Sequence, residues 1–317
     1  MKKYLYINYI KASNINHYGG TETISNSMNK YINQVINVAS FNDLWMMLKK
    51  IDINNNQKIL INYLPPIKYI FILIYCYCKN IKIHKLSYGL PTSINFKKKA
   101  QIYLDYCFSS TLKVITINLD EYNFLLKRKI RVSYKFPVSK YSNIKPKNKT
   151  SELFKIGYVG RWDKLKGTNE FVDIASNRIF SHLKFYVATY GINKFEIEKL
   201  NSFGIDVHDF SGDKRNDELF TEIFSNCDAC IFDYQSLAGT TNPPLLPIEA
   251  LSMGIACIIR PLGDLAHLFN DYPLTLRKND ENELMKVLKK YLDNHMLYDR
   301  KFHINFYKSM EERYLTQ

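Results

Sequence analysis

The sequence has no long apolar run. Its longest, Tyr69–Cys78 (YIFILIYCYC), falls far short of the roughly 20 residues that cross a bilayer, so no transmembrane helix is expected. It has no low-complexity tract and no short-period repeat, which argues against bulk disorder and against a repeat array. Cysteine is scarce, six in 317 residues. Cys227 and Cys230 form a C-x-x-C, but no second pair lies nearby to complete a zinc site, and the thiols sit in apolar runs. Buried free cysteines in a reducing compartment are the expectation, with no metal and no cofactor. The opening YLYINYI is broken by Asn8 and followed by no convincing cleavage site, so it reads as a first strand rather than a signal peptide.

Acidic residues are nearly missing from one half. Residues 1–150 hold 24 Lys and Arg against 6 Asp and Glu, a net of +18, whereas residues 151–317 hold 20 against 24, a net of −4. A proteome-wide lysine bias would load both halves. The split instead supports two domains with different partners, and the basic half points to nucleic acid, an anionic membrane surface or an anionic acceptor. No aromatic RNA-binding motif accompanies the charge, so nucleic acid is the weakest of the three. Two segments combine charge with apolar residues, Phe96-Lys97-Lys98-Lys99 and Lys127-Arg128-Lys129-Ile130-Arg131. Either a membrane-facing surface or a solvated helix face accounts for them.

What is present is alternation. Strands are predicted at 4–10, 35–39, 58–63, 81–86 and 114–118, with helices at 21–33, 67–79, 96–109 and 119–127 between them. A polar, Pro- and Lys-rich segment, 136–153, reads as a linker, after which the pattern restarts with strands at 155–159, 183–188, 205–210, 229–233 and 255–259 and a long helical tail from about 280. This is the signature of βαβ units with parallel sheets. The expected organisation is a first Rossmann-like domain over 1–150 and a second over 151–317.

Two segments of the second half carry chemistry. Gly160-Arg161-Trp162-Asp163-Lys164-Leu165-Lys166-Gly167 follows a strand and opens a helix. A cationic loop there can neutralise a diphosphate through Arg161, Lys166 and helix N–H groups; a solvated basic turn has the same sequence. Further on, Thr241-Asn242-Pro243-Pro244-Leu245-Leu246-Pro247-Ile248-Glu249 leads into a helix ending at Gly254. Glu249 in its first turn either accepts hydrogen bonds from two ribose hydroxyls or only complements the helix dipole. Pro243 and Pro244 lack N–H groups, so any phosphate-binding amides fall to Leu245 and Leu246. In the first half, Gly19-Gly20 before a helix is either an ordinary tight turn or a point of close backbone approach to a ligand.

Gly160, Arg161, Lys166 and Gly167, followed by the stretch FSGDKRNDELFTEIFSNCDACIFDY and then Thr241 and Glu249 at the spacing of an E-x7-E motif, resemble the retaining GT-B glycosyltransferases of family four. The resemblance covers about residues 155–270 well and the first half more loosely. It implies two Rossmann-like domains facing a central cleft, with a nucleotide-diphosphate sugar, UDP-linked ahead of GDP-linked, held on the second. It also implies that Arg161 and Lys166 bind the diphosphate and that Glu249, matching the second glutamate, binds the ribose. Thr241 replaces the first glutamate, and Tyr88 stands where the family has a histidine that contacts the donor sugar. Gly19 and Gly20 match its glycine loop. Asp-x-Asp, the pair with which metal-dependent sugar transferases hold a cation, occurs nowhere in the chain, which fits neutralisation by Arg161 and Lys166 instead. The implied acceptor is a lipid-linked oligosaccharide or lipopolysaccharide-type glycan at the cytoplasmic membrane face, in polysaccharide or O-antigen synthesis. A non-catalytic nucleotide-sugar-binding protein is the alternative that Thr241 and Tyr88 keep open.

Overall fold

The computed structural model describes residues 4–8, 32–37, 40–50, 58–61, 64–87, 96–137, 139, 154–211, 217–238, 240–277 and 282–315. Gly19, Gly20 and Tyr88 lie outside them, as do most of the expected helix 21–33 and most of the 136–153 linker. The chain divides into two compact units, one running to Phe136 and the other starting at Pro137.

The first unit holds a six-stranded sheet in the order β2-β1-β3-β4-β5-β6, built from β1 (Tyr4–Asn8), β2 (Ile32–Asn37), β3 (Lys58–Ile61), β4 (Ile83–Ser87), β5 (Leu112–Thr116) and β6 (Val132–Tyr134). Every pairing is parallel. Its helices among the described residues are α1 (Phe41–Lys50), α2 (Pro66–Cys78), α3 (Phe96–Cys107) and α4 (Leu119–Leu126). Pro66 opens α2, where a missing N–H costs nothing, and the Asn118 side chain caps α4 by accepting from Glu121 N at 2.7 Å. From β2 onward each strand leads to the next one further along the sheet in the same direction. Right-handed crossovers then put α1 to α4 on one face. The core joins Leu44 and Leu48 of α1 and Tyr69, Ile72, Leu73 and Cys76 of α2 to Ile59, Ile61, Ile83 and Leu112 of the strands.

The second unit holds β7 (Lys155–Arg161), β8 (Lys184–Tyr190), β9 (Asp206–Asp209), β10 (Ala229–Phe232) and β11 (Ala256–Ile259), all parallel, in the order β11-β10-β7-β8-β9. The strands β10 (ACIF) and β11 (ACII) are buried along their whole length, as strands covered on both faces must be. Helices α5 (Thr168–Ala175), α6 (Lys194–Ser202), α7 (Asp217–Ser225), α8 (Leu246–Ser252) and α9 (Leu265–Leu268) connect or follow them. The expected long tail is two helices, α10 (Glu283–Asp293) and α11 (Arg300–Leu315). Asn294 ends the first of them and a turn separates the two.

All six cysteines are free, but Cys78 and Cys107 are exposed rather than buried. Each is at or near the end of its helix, beyond the stripe that faces the core. No helix among the described residues is long and apolar enough to cross a membrane.

Candidate functional site

In the second sheet the strand order reverses at β7. The chain builds outward through β8 and β9, then returns to the other side of β7 to lay down β10 and β11. In open α/β sheets ligands bind beyond the carboxyl ends of the strands at such a switch point. Here the two strands part early. β7 pairs with β8 along all of Lys155–Arg161 but with β10 only through Ile156 and Gly157. The loops after β7 and β10 therefore flank an opening, and they carry both segments singled out from the sequence.

The two loops are sewn together. Gly160 has φ +138, and a side chain there would meet Leu246 Cδ1 at 3.3 Å. Gly167 has φ +83, and a Cβ would sit 2.4 Å from the Asp233 carbonyl oxygen. Both positions call for glycine on backbone grounds, and both mark close approach of one loop to the other. The Leu165 carbonyl accepts from Gln235 N at 3.0 Å and from Ser236 N at 3.3 Å. Lys166 Nζ donates to the Ala238 carbonyl at 3.1 Å.

Lys166 ends a 3₁₀ turn, Lys164–Lys166, and is almost fully buried, its ammonium 5.4 Å from the centre of the Tyr234 ring. Burial, with Arg161 as a like charge nearby, lowers its pKa to about 8, against a smaller opposing pull from Asp163. Arg161 leaves the end of β7 half-exposed and pairs through Nη2 with Asp163, while its Nε is buried with no acceptor. Asp163 also accepts from Leu165 N at 2.9 Å. That backbone bond, with the Arg161 guanidinium, holds its carboxyl below the usual range despite some desolvation.

On the other side of the opening, Asn242 precedes a cis peptide to Pro243 and accepts from Asp264 N at 2.9 Å. The Thr241 hydroxyl donates to the Pro243 carbonyl at 2.9 Å. Leu245 is the N-cap of α8, with no side-chain cap, and Leu246 and Pro247 begin the helix. Glu249, in its first turn, is buried. Tyr234 feels its charge: burial first, and carboxylate and thiol neighbours including Glu249 second, push that phenol well up. Tyr234 thus lies within electrostatic reach of Glu249 and directly beneath Lys166. The structure brings Gly160, Arg161, Lys166, Thr241, Leu245, Leu246 and Glu249 onto these two facing loops.

Three features of the site do not stand out in the sequence. Asp163 fixes the cationic loop, and its signal is a short acidic residue two positions before the first amide it caps. Tyr234 is the floor under Lys166. Asp233 and Arg260, each the first residue beyond its strand, form a two-point ion pair with Asp233 fully buried, which ties the ends of β10 and β11. A charge directly after a run of four apolar residues is the visible sign of it.

In the first unit, the two basic segments are adjacent. Lys99, Ile102, Tyr103 and Tyr106 of α3 and Phe124, Arg128 and Ile130 of α4 and its following turn line a groove of about 490 Å³. The Arg128 guanidinium lies 3.5 Å from the centre of the Phe124 ring. At the ends of β4 and β5, buried Glu121 accepts from Ser87 Oγ and Thr116 Oγ1, each at 2.7 Å, and pairs with Lys98 at 3.2 Å.

No protein-family model and no curated protein matches the sequence. Solved structures match over nearly the whole chain. Anabaena HepE in complex with UDP is similar with a TM-score of 0.66 at 10% identity, covering 99% of this chain and 96% of that one. A glycosyltransferase from Rickettsia africae gives 0.64 at 15%, covering 99% and 93%. UDP-GlcNAc 2-epimerase from Neisseria meningitidis, bound to UDP-GlcNAc, gives 0.59 at 13%, covering 99% and 100%. The fold is the mixed α/β, two-sheet GT-B type.

Proposed function

We propose that this chain is a glycosyltransferase that moves a sugar from a nucleotide-diphosphate sugar, UDP-linked in the first instance, onto a bacterial surface-glycan acceptor carried on lipid. The carrying observation is the joining of the Arg161–Lys166 loop to the loop leading to Glu249 at the switch point of the second sheet. The donor is assigned to residues 151–317 and the acceptor to residues 1–150. In this reading a phosphate oxygen takes up the buried, acceptor-less Arg161 Nε, and the Lys166 ammonium meets the second phosphate. The Leu245 and Leu246 amides complete the cradle, and Glu249 accepts from the ribose hydroxyls. Gly19, Gly20 and Tyr88, which the resemblance assigns to the donor, lie outside the described residues.

As the sugar–phosphate bond breaks, negative charge grows on the leaving diphosphate, and fixed cations there stabilise the transition state more than the ground state. No protein nucleophile is needed if the acceptor attacks on the face the diphosphate leaves, which retains configuration. The reaction is taken to be independent of metal and to occur at the cytoplasmic face of an anionic membrane. The compared structures also include an epimerase, so fold alone does not choose the reaction; the cationic loop and the E-x7-E-like spacing are what favour transfer. A second reading, a nucleotide-sugar-binding protein without transfer, is favoured by Thr241, whose hydroxyl is spent on the Pro243 carbonyl.

Calorimetry with UDP tests the donor site. Arg161→Ala, Lys166→Ala and Glu249→Gln should each weaken binding by about 1.5–3 kcal/mol, the range for hydrogen bonds to charged groups. Unchanged affinity in the folded Arg161→Ala/Lys166→Ala variant would remove the assignment. Release of free sugar or of transfer product from UDP-sugar separates the enzyme from the binding protein, and a 2-epimer product would mark the other reaction of the fold.

A further inference from the structure

Helix α2 is apolar on two faces. Tyr69, Ile72, Leu73 and Cys76 enter the core of the first unit. The opposite stripe, Ile67, Ile70, Ile74 and Tyr77, recurs at one helical face and is exposed, Ile67 by 76% and Tyr77 by 55%. A soluble surface helix keeps polar residues there, yet the only charge on α2 is Lys68. The apolar surface continues on the neighbours that share its side of the sheet, through Trp45 and Met46 of α1 and Tyr103 and Tyr106 of α3. Exposed apolar residues concentrated on one face in this way mark an interaction surface.

Its charge surroundings say which partner fits. Exposed lysines border the stripe, with Lys79 and Lys82 just beyond the end of α2 and Lys49 over the Trp45 ring at 5.5 Å. Of the carboxylates described in this unit, Asp105 is buried in a pair with Lys85 at 2.6 Å and Glu121 in its pair with Lys98. Among the described residues, Asp43 and Asp120 are the carboxylates that remain to offset the surface cations. A second copy of this chain would bring the same positive charge to the contact, whereas a bilayer with anionic headgroups supplies both an apolar layer and the opposite sign.

We infer that the α1–α3 face of the first unit seats on an anionic bilayer, with Ile67, Ile70 and Ile74 entering the acyl boundary and Lys79 and Lys82 meeting the headgroups. This deepens the membrane part of the proposed function by assigning the surface, and it rests on that reading only for its purpose, the capture of a lipid-carried acceptor. It does not depend on donor chemistry.

The test uses the full chain with vesicles of phosphatidylcholine alone or mixed with phosphatidylglycerol. Wild type should co-sediment with the mixed vesicles only. Ile67→Ser/Ile70→Ser/Ile74→Ser should lower partitioning by about tenfold or more, and Lys79→Ser or Lys82→Ser by about fivefold each. A second readout leaves the stripe intact. The protein has two tryptophans, so Trp162→Phe leaves Trp45 alone, and its emission should shift to the blue and be quenched by brominated lipid. UDP binding measured on the same samples keeps the two proposals apart: a wild type that binds UDP but not the mixed vesicles overturns this one, and a wild type that binds the vesicles but not UDP overturns only the donor site. Equal sedimentation of wild type and the triple variant, or unquenched Trp45, also overturns it. So does a wild type that is dimeric and ignores lipid while the triple variant is monomeric, which would give the face to a second copy.

Discussion

The Lys166 ammonium donates to the Ala238 carbonyl at 3.1 Å, so the cation assigned to the donor diphosphate also holds the loop after β10 against the loop after β7. Burial lowers its pKa to about 8, and a bound diphosphate favours the protonated form. UDP affinity should therefore be flat below about pH 8 and fall above it, with one proton taken up per complex. The sign for stability is opposite. Across the window between the folded value and the ordinary lysine value the unfolded chain holds more protons, so the unliganded protein gains stability as pH rises. Lys166→Met should raise the melting temperature at neutral pH, with the gain shrinking above pH 8, while UDP binding weakens. Calorimetry and thermal melts across pH check both arms.

Gly167→Ala should cost about 2 kcal/mol or more of stability, because it combines a left-handed backbone with a methyl placed against the Asp233 carbonyl. Gly191→Ala is the control. Its backbone is also left-handed, but a Cβ there meets nothing within 4 Å, so it should cost less. Urea melts of the two variants report the difference. Equal costs would mean that the close approach of the two loops contributes nothing.

How far the sequence could be read follows from which signals are local. The strands of the second sheet stood out because a parallel strand covered on both faces is a continuous apolar run, as in Ala229–Phe232 and Ala256–Ile259. The cationic loop was legible for a similar reason, since Gly160 and Gly167 are demanded by their own backbone angles. β6 leaves no such signal: Val132–Tyr134 is three residues long and only Tyr134 is buried. Helix α1 is equally hard to see, its FNDLWMMLKK lying between two stretches rich in asparagine. The apolar run at Tyr69–Cys78 was correctly a helix, but periodicity could not tell that one of its two apolar faces stays exposed. What Lys166 and Thr241 do in the unliganded protein was also out of reach, because both are spent on carbonyls whose position only the folded loop sets.

Asp163 competes with any anionic ligand for Arg161, to which it is already paired. Asp163→Asn keeps an acceptor for the Leu165 N–H, which asparagine caps as well as aspartate does, and frees the guanidinium. UDP affinity should rise, by up to about fivefold given the modest worth of part-exposed pairs. Asp163→Ala removes the cap too and should lose stability instead. Parallel calorimetry and melts separate the two effects; weaker UDP binding in Asp163→Asn would show that the pair orients Arg161 for the phosphate rather than withholding it.

Transfer should survive chelation. A divalent cation on a sugar diphosphate needs carboxylates placed to hold it, and Asp-x-Asp is absent from the whole sequence. The cations on the β7 side of the opening, Arg161 and Lys166, are instead placed where a departing diphosphate develops its charge. EDTA should then leave the rate of sugar release or transfer essentially unchanged, and magnesium or manganese should not restore activity to Lys166→Ala. Rescue of that variant by either ion would mean the site can use a metal in place of its lysine. Complete loss in EDTA with recovery on adding manganese would overturn the metal-free reading and send the search for ligands to acidic residues such as Glu249 and Asp163.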